Sequence, residues 1–335
     1  MSQPITTGVR GDLNAHVQEA ANAEDLCIGA KVMPIWTVRR RIGEYPKWKI
    51  AEGQLLKALG SGRQPASAFP RVTRRYELDS YTCIDNRIEQ PVDAVEQADL
   101  EDYLDLEVFS AKQLGINALL DHERRVRAKI FDTSVFDATN SVVAYTQSNL
   151  ETVDAIRDIQ GRIRRLENLG VIANTIVLSS AVADFITRTA LFQNYVKGYG
   201  VISQGAIPDT STILRAFESK GIKQVLVGRV GVDESKNRKA ADVNQVWTND
   251  YIWVGRSQLD GNGAPWSTNR AVSPYSGDGA AYTIAWDKFG SGDPTSVEVY
   301  EEKEVDSAII RAGAITAEKV VDPTKGALVT TQSNF

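Results

Sequence analysis

The stretch "DAIRDIQGRIRRLENLGVIANTIVLSSAVADFI", Asp154 to Ile186, decides the fold of this chain. Ile156, Ile159 and Ile163 recur at helical spacing and the pattern stops at Gly170, which predicts an amphipathic helix that ends on a glycine. A Ser or Asn in the preceding "SNLE" is predicted to cap its start. The run "NTIVLSS" then predicts a buried strand whose serines cap the next helix. Helix, strand and helix in this order predict an α/β unit in the middle of the chain.

The sequence that follows this unit is first helical and then rich in strand-forming residues. "AVADFITRTALFQNYV" and "TSTILRAFESKG" predict helices, and "KQVLVGRVGV" predicts a strand after them. Strands are also predicted in "QVWTNDYIWVGR", "AAYTIAWDKF", "TSVEVYEEKEV" and "KGALVTT". Helices in the middle with strands on both sides indicate an α+β fold rather than a doubly wound sheet.

One or two helices are predicted on the N-terminal side, from about Val92 to Phe131. Pro91 suits the first turn of a helix, and acidic residues near the start followed by basic residues near the end match the helix macrodipole. The seven carboxylates that precede the first basic residue are Asp93, Glu96, Asp99, Glu101, Asp102, Asp105 and Glu107. His122 lies in the charged stretch "LLDHERRVRAKIF", where we expect a half-exposed helical residue.

Ahead of this helical region lies an extended, basic excursion. "IWTVRRRI" and "RVTRRYELDSYTCI" are rich in β-branched and aromatic residues and predict two strands. Because an isolated two-stranded hairpin is marginally stable in water, the excursion should lie against something else. Residues 1 to about 30 are small and polar, and we expect an arm that becomes ordered against a partner.

Composition limits the classes of function. The chain has 335 residues, 42% of them hydrophobic and 24% charged, which is typical of a folded globular protein. Its net charge of -5 argues against a protein whose main role is to coat nucleic acid. Its two cysteines, Cys27 and Cys83, have no metal-site spacing and suit a reducing cytosol. No apolar run is long enough to span a bilayer, so no membrane partner is expected.

The sequence offers little material for catalysis. His16 and His122 are its only histidines, and neither stands in a metal-binding motif. No nucleophile elbow, phosphate-binding loop or dinucleotide fingerprint follows a predicted strand. We therefore predict no catalytic residue, no cofactor and no metal ligand, and a protein that is not an enzyme.

The order of these elements resembles a known family. "HERRVRAKIFD" (His122 to Asp132) resembles the end of the long spine helix in the major capsid proteins of tailed phages, and Asp154 to Ile186 resembles the helix, glycine turn, strand and helix that follow there. "GIKQVLVGRV", "WTNDYIWVG" and "GALVTT" resemble later strands of that family. The likeness covers nearly the whole chain from about Ile35, and the order of the motifs is its specific part.

The resemblance implies an α+β Hong Kong 97-type capsid fold. Its expected parts are an N-terminal arm (1–34), an extended β loop or E-loop (35–88), a peripheral domain with the spine helix (89–140 and 273–312) and an axial α/β domain (141–272 and 313–335). Such proteins self-assemble as hexamers and pentamers into the icosahedral head shell around a double-stranded DNA genome. The expected location is the virion capsid, assembled in the cytoplasm of the host bacterium.

The partners implied by the family are further copies of the chain, a portal protein, a scaffolding protein and, optionally, a decoration protein. The segment before the excursion is short, so we expect a separate scaffolding protein rather than a built-in scaffolding extension. Nonspecific contact with packaged DNA is expected from basic residues facing the lumen. The candidates are Arg157, Arg162, Arg164 and Arg165, although the exposed face of a helix explains the same cluster.

A subunit contact is predicted between the basic excursion and the acidic start of a neighbour's spine helix. Charge would set register and partner choice, and buried aromatic rings would supply affinity. The candidate residues are Trp36, Arg39, Arg40, Arg41, Trp48, Arg74 and Arg75 on one side and Asp99, Glu101, Asp102, Asp105 and Glu107 on the other. A merely solvated charged face is the competing interpretation.

Three other functions stay open at this point. A shell of the encapsulin type, which encloses cargo enzymes, would have the same fold. A nucleic-acid-binding module could stack bases on the aromatic residues of "KVMPIWTVRRRIGEYPKWKI", Lys31 to Ile50. A hydrolase is the third option, and it lacks a recognisable nucleophile motif.

Overall fold

The computed structural model describes most of the chain in ten stretches. They are residues 8–9, 12–17, 27–48, 76–100, 104–198, 208–233, 243–258, 279–288, 295–302 and 307–333. Residues 12–17 are helical. The other helices are α1 (Gly29–Val32), α2 (Ala94–Leu100), α3 (Leu106–Ile130), α4 (Ala155–Asn168), α5 (Ser180–Arg188), α6 (Ala190–Gly198) and α7 (Thr210–Glu218).

The strands lie before, between and after these helices in the sequence. They are β1 (Gly8–Val9), β2 (Ile35–Val38), β3 (Ile42–Trp48), β4 (Tyr76–Thr82), β5 (Ile84–Asp85), β6 (Ile88–Asp93), β7 (Asp137–Asn140), β8 (Thr175–Ser179), β9 (Gln224–Gly228), β10 (Gly231–Asp233), β11 (Val243–Gln245), β12 (Tyr251–Gly255), β13 (Ala281–Trp286), β14 (Thr295–Glu302), β15 (Ser307–Val320) and β16 (Gly326–Thr330). The mixed α+β class is therefore confirmed.

A five-stranded sheet, in the order β7-β16-β12-β8-β9, forms the core of the α/β unit. β8 is buried at every position, as its unbroken apolar run predicts. The isoleucines of α4 pack against this sheet, and α4 ends where Gly170 takes a left-handed backbone at φ +75°. Ser179 caps α5 by accepting from the backbone N–H of Val182. The helix, glycine, strand and helix predicted between Asp154 and Ile186 are confirmed.

A seven-stranded sheet holds the other end of the fold. Its main path runs β1-β14-β15-β13-β2, and β5 and β6 pair with β15 as well. The long β15 thus joins the N-terminal strands to those near the C-terminus. Helix α3 packs along β15 and fills the space between the sheets with Leu119, Val126 and Ile130, all buried. β3 and β4 form a separate two-stranded hairpin.

Tertiary pairing corrects the predicted start of the helical region. Pro91 lies in β6 opposite Ile309, not in the first turn of a helix. Among the described strands β6 pairs only with β15, so Pro91 lies on an edge strand, where proline is tolerated. Helix α2 begins only at Ala94, and α3 begins at Leu106 after the Asp105 cap.

Two helix boundaries also differ from the sequence prediction. "AVADFITRTALFQNYV" forms two helices because Thr189 is extended, at ψ 136°, and the N–H of Ala190 donates to Leu150 O at 3.0 Å. The cap of α4 is Asp154, whose Oδ1 accepts from the N–H of Arg157 at 3.0 Å, rather than a residue of "SNLE". A contact distant in the sequence decides the first boundary, and a local cap decides the second.

The first predicted strand of the excursion is interrupted. "IWTVRRRI" contains β2 and the start of β3, and Arg39–Arg41 form the turn between them. β2 adds to the seven-stranded sheet in parallel with β13, whereas β3 pairs only with β4. The three arginines therefore lie where the chain leaves the sheet and enters the hairpin.

Candidate subunit-contact surfaces

An aromatic cluster holds the root of the β3–β4 hairpin. The ring of Trp36 meets those of Tyr45 and Tyr81 edge to face, with centroids 6.3 and 5.9 Å apart. Tyr45 is fully buried, and its hydroxyl donates to Asp79 Oδ2 at 2.9 Å. Burial raises the pKa of Tyr45, and Asp79 raises it further, so the phenol stays protonated. The hairpin is thus fixed to the body of the protein at its base.

The same cluster holds the backbone of the three-arginine turn, which we call the basic turn (Arg39–Arg41). The indole of Trp286 donates to Arg39 O at 3.3 Å, and the hydroxyl of Tyr81 donates to Arg40 O at 3.3 Å. Arg41 donates through Nε to Cys83 O at 3.0 Å. Because all three arginines remain exposed, the turn presents cationic side chains on a fixed backbone.

Apolar side chains stand beside the basic turn. Ile42 is 64% exposed and Leu78 is 62% exposed, although both lie in paired strands. Exposed aliphatic residues next to fixed charges are typical of a surface that binds another protein.

A complementary surface lies before and at the start of α3, and we call it the acidic helix start (residues 94–100 and 104–109). Asp99 is exposed on α2, and Asp105 caps α3 by accepting from the N–H of Val108 at 3.1 Å. Among these carboxylates stand three exposed apolar residues, namely Val95, Leu104 and Phe109. This surface therefore combines negative charge with apolar area, as the basic turn combines positive charge with apolar area.

Some predicted contact residues cannot be located. Arg74, Arg75, Glu101 and Asp102 lie outside the described residues. Trp48 ends β3 opposite Tyr76 in the backbone register, and its side chain is also outside the description. Glu107 is partly buried in the first turn of α3.

A buried polar cluster, which sequence reasoning missed, joins α3 to Ile28, Gly29 and Trp247. Glu123 accepts from the N–H of Ile28 at 3.0 Å, the N–H of Gly29 at 2.6 Å and the indole of Trp247 at 2.6 Å. Burial raises the pKa of Glu123, while the bonds from Trp247 and the two amides lower it. One carboxylate therefore connects α3 to the end of the N-terminal region and to the loop before β12.

His122 was wrongly expected to be half exposed. It is 2% exposed, and its Nε2 lies 3.0 Å from Thr283 Oγ1 on β13. Burial lowers its pKa to about 4, although the nearby Glu318 carboxylate acts in the opposite direction. Glu318 is itself held by Arg125, whose Nε lies 3.1 Å from its Oε1. The charged neighbours in the sequence gave no sign that this one position faces the sheet.

The arginines of α4 are partly neutralised within the chain. Arg162 and Arg165 both reach Asp137 Oδ2, at 3.0 and 2.8 Å. Arg157 and Arg164 are exposed on the same helix. Two of the four arginines thus bind a carboxylate of their own chain. At least half of this cluster therefore needs no contact with DNA to explain it.

The described part of the chain has no metal-binding cluster and no membrane-spanning helix. It contains no group of three or more His, Cys, Asp or Glu side chains that could hold a metal ion. None of its helices is both long and apolar enough to cross a membrane. Cys27 and Cys83 are both buried, and burial raises the pKa of Cys83 to about 11.

No protein-family model and no curated protein matches this sequence. The structure is similar to that of a phage-related protein from Bordetella bronchiseptica RB50, with 16% identity, a TM-score of 0.68 and coverage of 98% of this chain and 99% of that one. It is also similar to the mature capsid of bacteriophage PhiM1, with 12% identity, a TM-score of 0.51 and coverage of 98% and 90%. This chain has the fold of phage capsid proteins.

A virus-like particle from Pyrococcus furiosus is similar to this chain with 10% identity and a TM-score of 0.52, over 95% of this chain and 97% of that one. Such low identities explain why the likeness is visible in the structure and not in a sequence match. These similarities cover nearly the whole of this chain.

Proposed function

We propose that this chain is the major capsid protein of a tailed phage, a structural and non-enzymatic protein that self-assembles into the head shell. The observation that carries the proposal is the end-to-end match to a mature capsid subunit, over 98% of this chain and 90% of that one. A match of this extent supports a shell function for the chain as a whole.

We further propose the division into parts that the Hong Kong 97-type fold implies. The β3–β4 hairpin would be the base of the extended loop (35–88), and α3 the spine helix of the peripheral domain (89–140 and 273–312). The five-stranded sheet and its helices would form the axial domain (141–272 and 313–335), after an N-terminal arm (1–34). Two separate sheets support a division of this kind, and β15 runs through the 312/313 boundary.

The subunit contact that we propose joins the basic turn of one copy to the acidic helix start of the next. Both surfaces are exposed, they carry opposite charges, and each includes apolar side chains at least 40% exposed. Exposed ion pairs contribute only about 0–1 kcal/mol each, so the apolar area would supply most of the affinity. Trp36 would support the contact indirectly, because its ring packs within its own chain.

The remaining proposals follow from the shell. Hexamers and pentamers would enclose double-stranded DNA in the virion, after assembly in the cytoplasm of a host bacterium. A portal protein, a scaffolding protein and an optional decoration protein would be the partners, with nonspecific phosphate contacts to the DNA. Arg157 and Arg164 are the α4 arginines left for such contacts, since Arg162 and Arg165 bind Asp137.

Electron microscopy and sedimentation velocity of the purified chain test this function directly. The chain is expressed alone and then together with the proteins encoded beside it. Closed shells, rings of six subunits or tubes are expected. A stable monomer or dimer under every condition would contradict the proposal.

A cargo-enclosing compartment is the second candidate, because a virus-like particle shares the capsid fold. The contents of purified shells distinguish the two functions: packaged DNA supports the phage head, whereas a co-purifying enzyme supports the compartment. A nucleic-acid-binding module gains no support, because Trp36 packs on Tyr45 and Tyr81 instead of offering a free face to a base.

A further inference from the structure

A cleft of about 860 Å³ opens where the second half of α3 meets the β10–β11 hairpin and the loop before β12. Its lining includes Arg124 and Arg127 of α3, Asn249 and Asp250 of the loop, and Trp247, which also binds Glu123. The cleft is separate from both the basic turn and the acidic helix start. Its chemistry is therefore not explained by the proposed subunit contact.

Two arginines of the cleft have no carboxylate partner in the described part of the chain. Arg124 is exposed and forms no ion pair there. Arg127 donates through Nη2 to Thr248 Oγ1 at 3.1 Å, and its buried Nε meets no acceptor among the described residues. Arg125, by contrast, binds both Asp121 and Glu318. Residues three apart on a helix lie on the same side, so Arg124 and Arg127 can act on one ligand.

The uncharged side chains that line the cleft add further hydrogen-bond donors. Asn249 Oδ1 accepts from the hydroxyl of Ser179 at 2.6 Å, which directs the amide nitrogen of Asn249 to another acceptor. Asp250 is exposed and forms no ion pair among the described residues, whereas Asp121 on the same lining binds Arg125. The lining thus carries three arginines (Arg124, Arg125 and Arg127) against two carboxylates (Asp121 and Asp250), and the cleft suits an anionic ligand.

We propose that this cleft binds an acidic peptide segment of another protein, whose carboxylates pair with Arg124 and Arg127. Guanidinium groups bind carboxylates through two parallel hydrogen bonds, which gives both strength and orientation. The volume is that of a site for a small ligand or a short peptide. Duplex DNA is a poorer fit, because its binding relies on several cations that neutralise a row of phosphates. The proposal does not depend on shell formation.

Calorimetric titration of the full chain with hexaglutamate at low ionic strength tests the site. The wild-type chain is expected to bind, and Arg124→Gln together with Arg127→Gln is expected to weaken binding about tenfold or more. Asp250→Asn should tighten binding, because it removes the opposing charge. Arg188→Gln with Arg215→Gln is the matched control: it removes the same charge from exposed positions of α5 and α7 outside the cleft and should leave binding unchanged.

Three outcomes would overturn the proposal. Hexaglutamate fails to bind the wild-type chain, or the cleft double variant binds it as tightly as the control double variant does. Alternatively, a short DNA duplex binds more tightly than hexaglutamate and loses its binding in the same cleft variants, which would assign the site to nucleic acid.

Arg124→Gln alone keeps the test decisive if the double variant does not fold, because Arg124 is exposed and holds no partner in the described chain. That single change should weaken hexaglutamate binding about threefold to fivefold. Electron microscopy of the same samples reports shell formation separately, so the cleft and the shell function can fail independently.

Discussion

Gly29 and Glu123 meet in a contact that permits no larger side chain. A Cβ atom at position 29 would lie 2.6 Å from Glu123 Oε2, the atom that accepts from the N–H of Gly29. Glu123 is held from the other side by the indole of Trp247, so it cannot retreat without losing a second hydrogen bond. Local sequence gives no hint of this constraint, because the two residues are 94 positions apart.

Gly29→Ala should therefore destabilise the folded chain by about 1–3 kcal/mol, the usual cost of overpacking a buried site. Gly161→Ala is the matched control. Gly161 lies in α4, where an added Cβ meets nothing within 4 Å, so alanine should be neutral or stabilise by up to about 1 kcal/mol. Urea unfolding of both variants measures the difference. Equal effects of the two changes would contradict the role assigned to Glu123.

The buried His122 predicts a pH dependence of stability. Its pKa is about 4 in the folded chain and about 6.5 in an unfolded one, so the unfolded state takes up a proton first as the pH falls. The free energy of unfolding should fall by about 2 kcal/mol between pH 7 and pH 5 from this group alone. Glu318 and Arg125 are the charges nearest to it and partly oppose each other.

His122→Gln should flatten that slope, because glutamine does not titrate and can still reach Thr283. Urea unfolding at pH 7, 6 and 5 compares the variant with the wild type. Since His16 is the other histidine of the chain, it is left in place in both proteins and cancels in the comparison. An unchanged slope would show that His122 is not the source of the pH dependence.

At the scale of elements, the hairpin root and the start of the spine helix form two surfaces of opposite charge. The basic turn is positioned by Trp286 and Tyr81, and the acidic helix start by the Asp105 cap. Each is thus held on a fixed element rather than on a free loop. Two positioned surfaces of this kind can set the register between neighbouring subunits.

Reversing the charge of all three arginines of the basic turn to glutamate should block assembly, because it places like charges across the contact. Reversing Asp99, Glu101, Asp102 and Glu107 to lysine in the same chain should partly restore it. Asp105 is left unchanged, because its loss would remove the cap of α3 at a cost of about 1 kcal/mol. Sedimentation velocity measures the assembled fraction.

Arg157→Glu with Arg164→Glu provides the control, since it reverses exposed charge on α4 away from this contact. That variant should assemble into empty shells as the wild type does. If the variant with the reversed basic turn assembles to the same fraction as the wild type, the proposed contact is wrong.

At the scale of the whole molecule, a shell repeats each weak contact many times. Ile42→Ser with Leu78→Ser should leave the free energy of unfolding within about 0.5 kcal/mol, because both side chains are already exposed. The same change should raise the concentration needed for assembly at least about tenfold, if the two side chains become buried between subunits. Light scattering against protein concentration measures that threshold.

Val243→Ser is the matched control for this prediction, because Val243 is 65% exposed on the β10–β11 hairpin. It should change neither the unfolding free energy nor the assembly threshold. A threshold that moves equally in both proteins would mean that exposed apolar area acts nonspecifically.

Much of this architecture could be predicted from local patterns. Helical spacing located α4, an unbroken apolar run located β8, and acidic and basic ends located the spine helix. Strand β15 was missed, although it is the longest strand among the described residues. It is buried on both faces and rich in alanine and isoleucine, so it shows none of the alternation that marks a half-exposed strand.

The sequence by itself determined the α+β class, the order of the main elements, the basic and acidic segments and the likeness to capsid proteins, because each depends on neighbours a few residues apart. Only the tertiary structure decided that Pro91 lies in a strand, that His122 and Glu123 are buried, and that Arg124 and Arg127 line one cleft. Those facts depend on pairs of segments far apart in the chain. Packing between such segments selects among conformations that local preference leaves nearly equal in free energy.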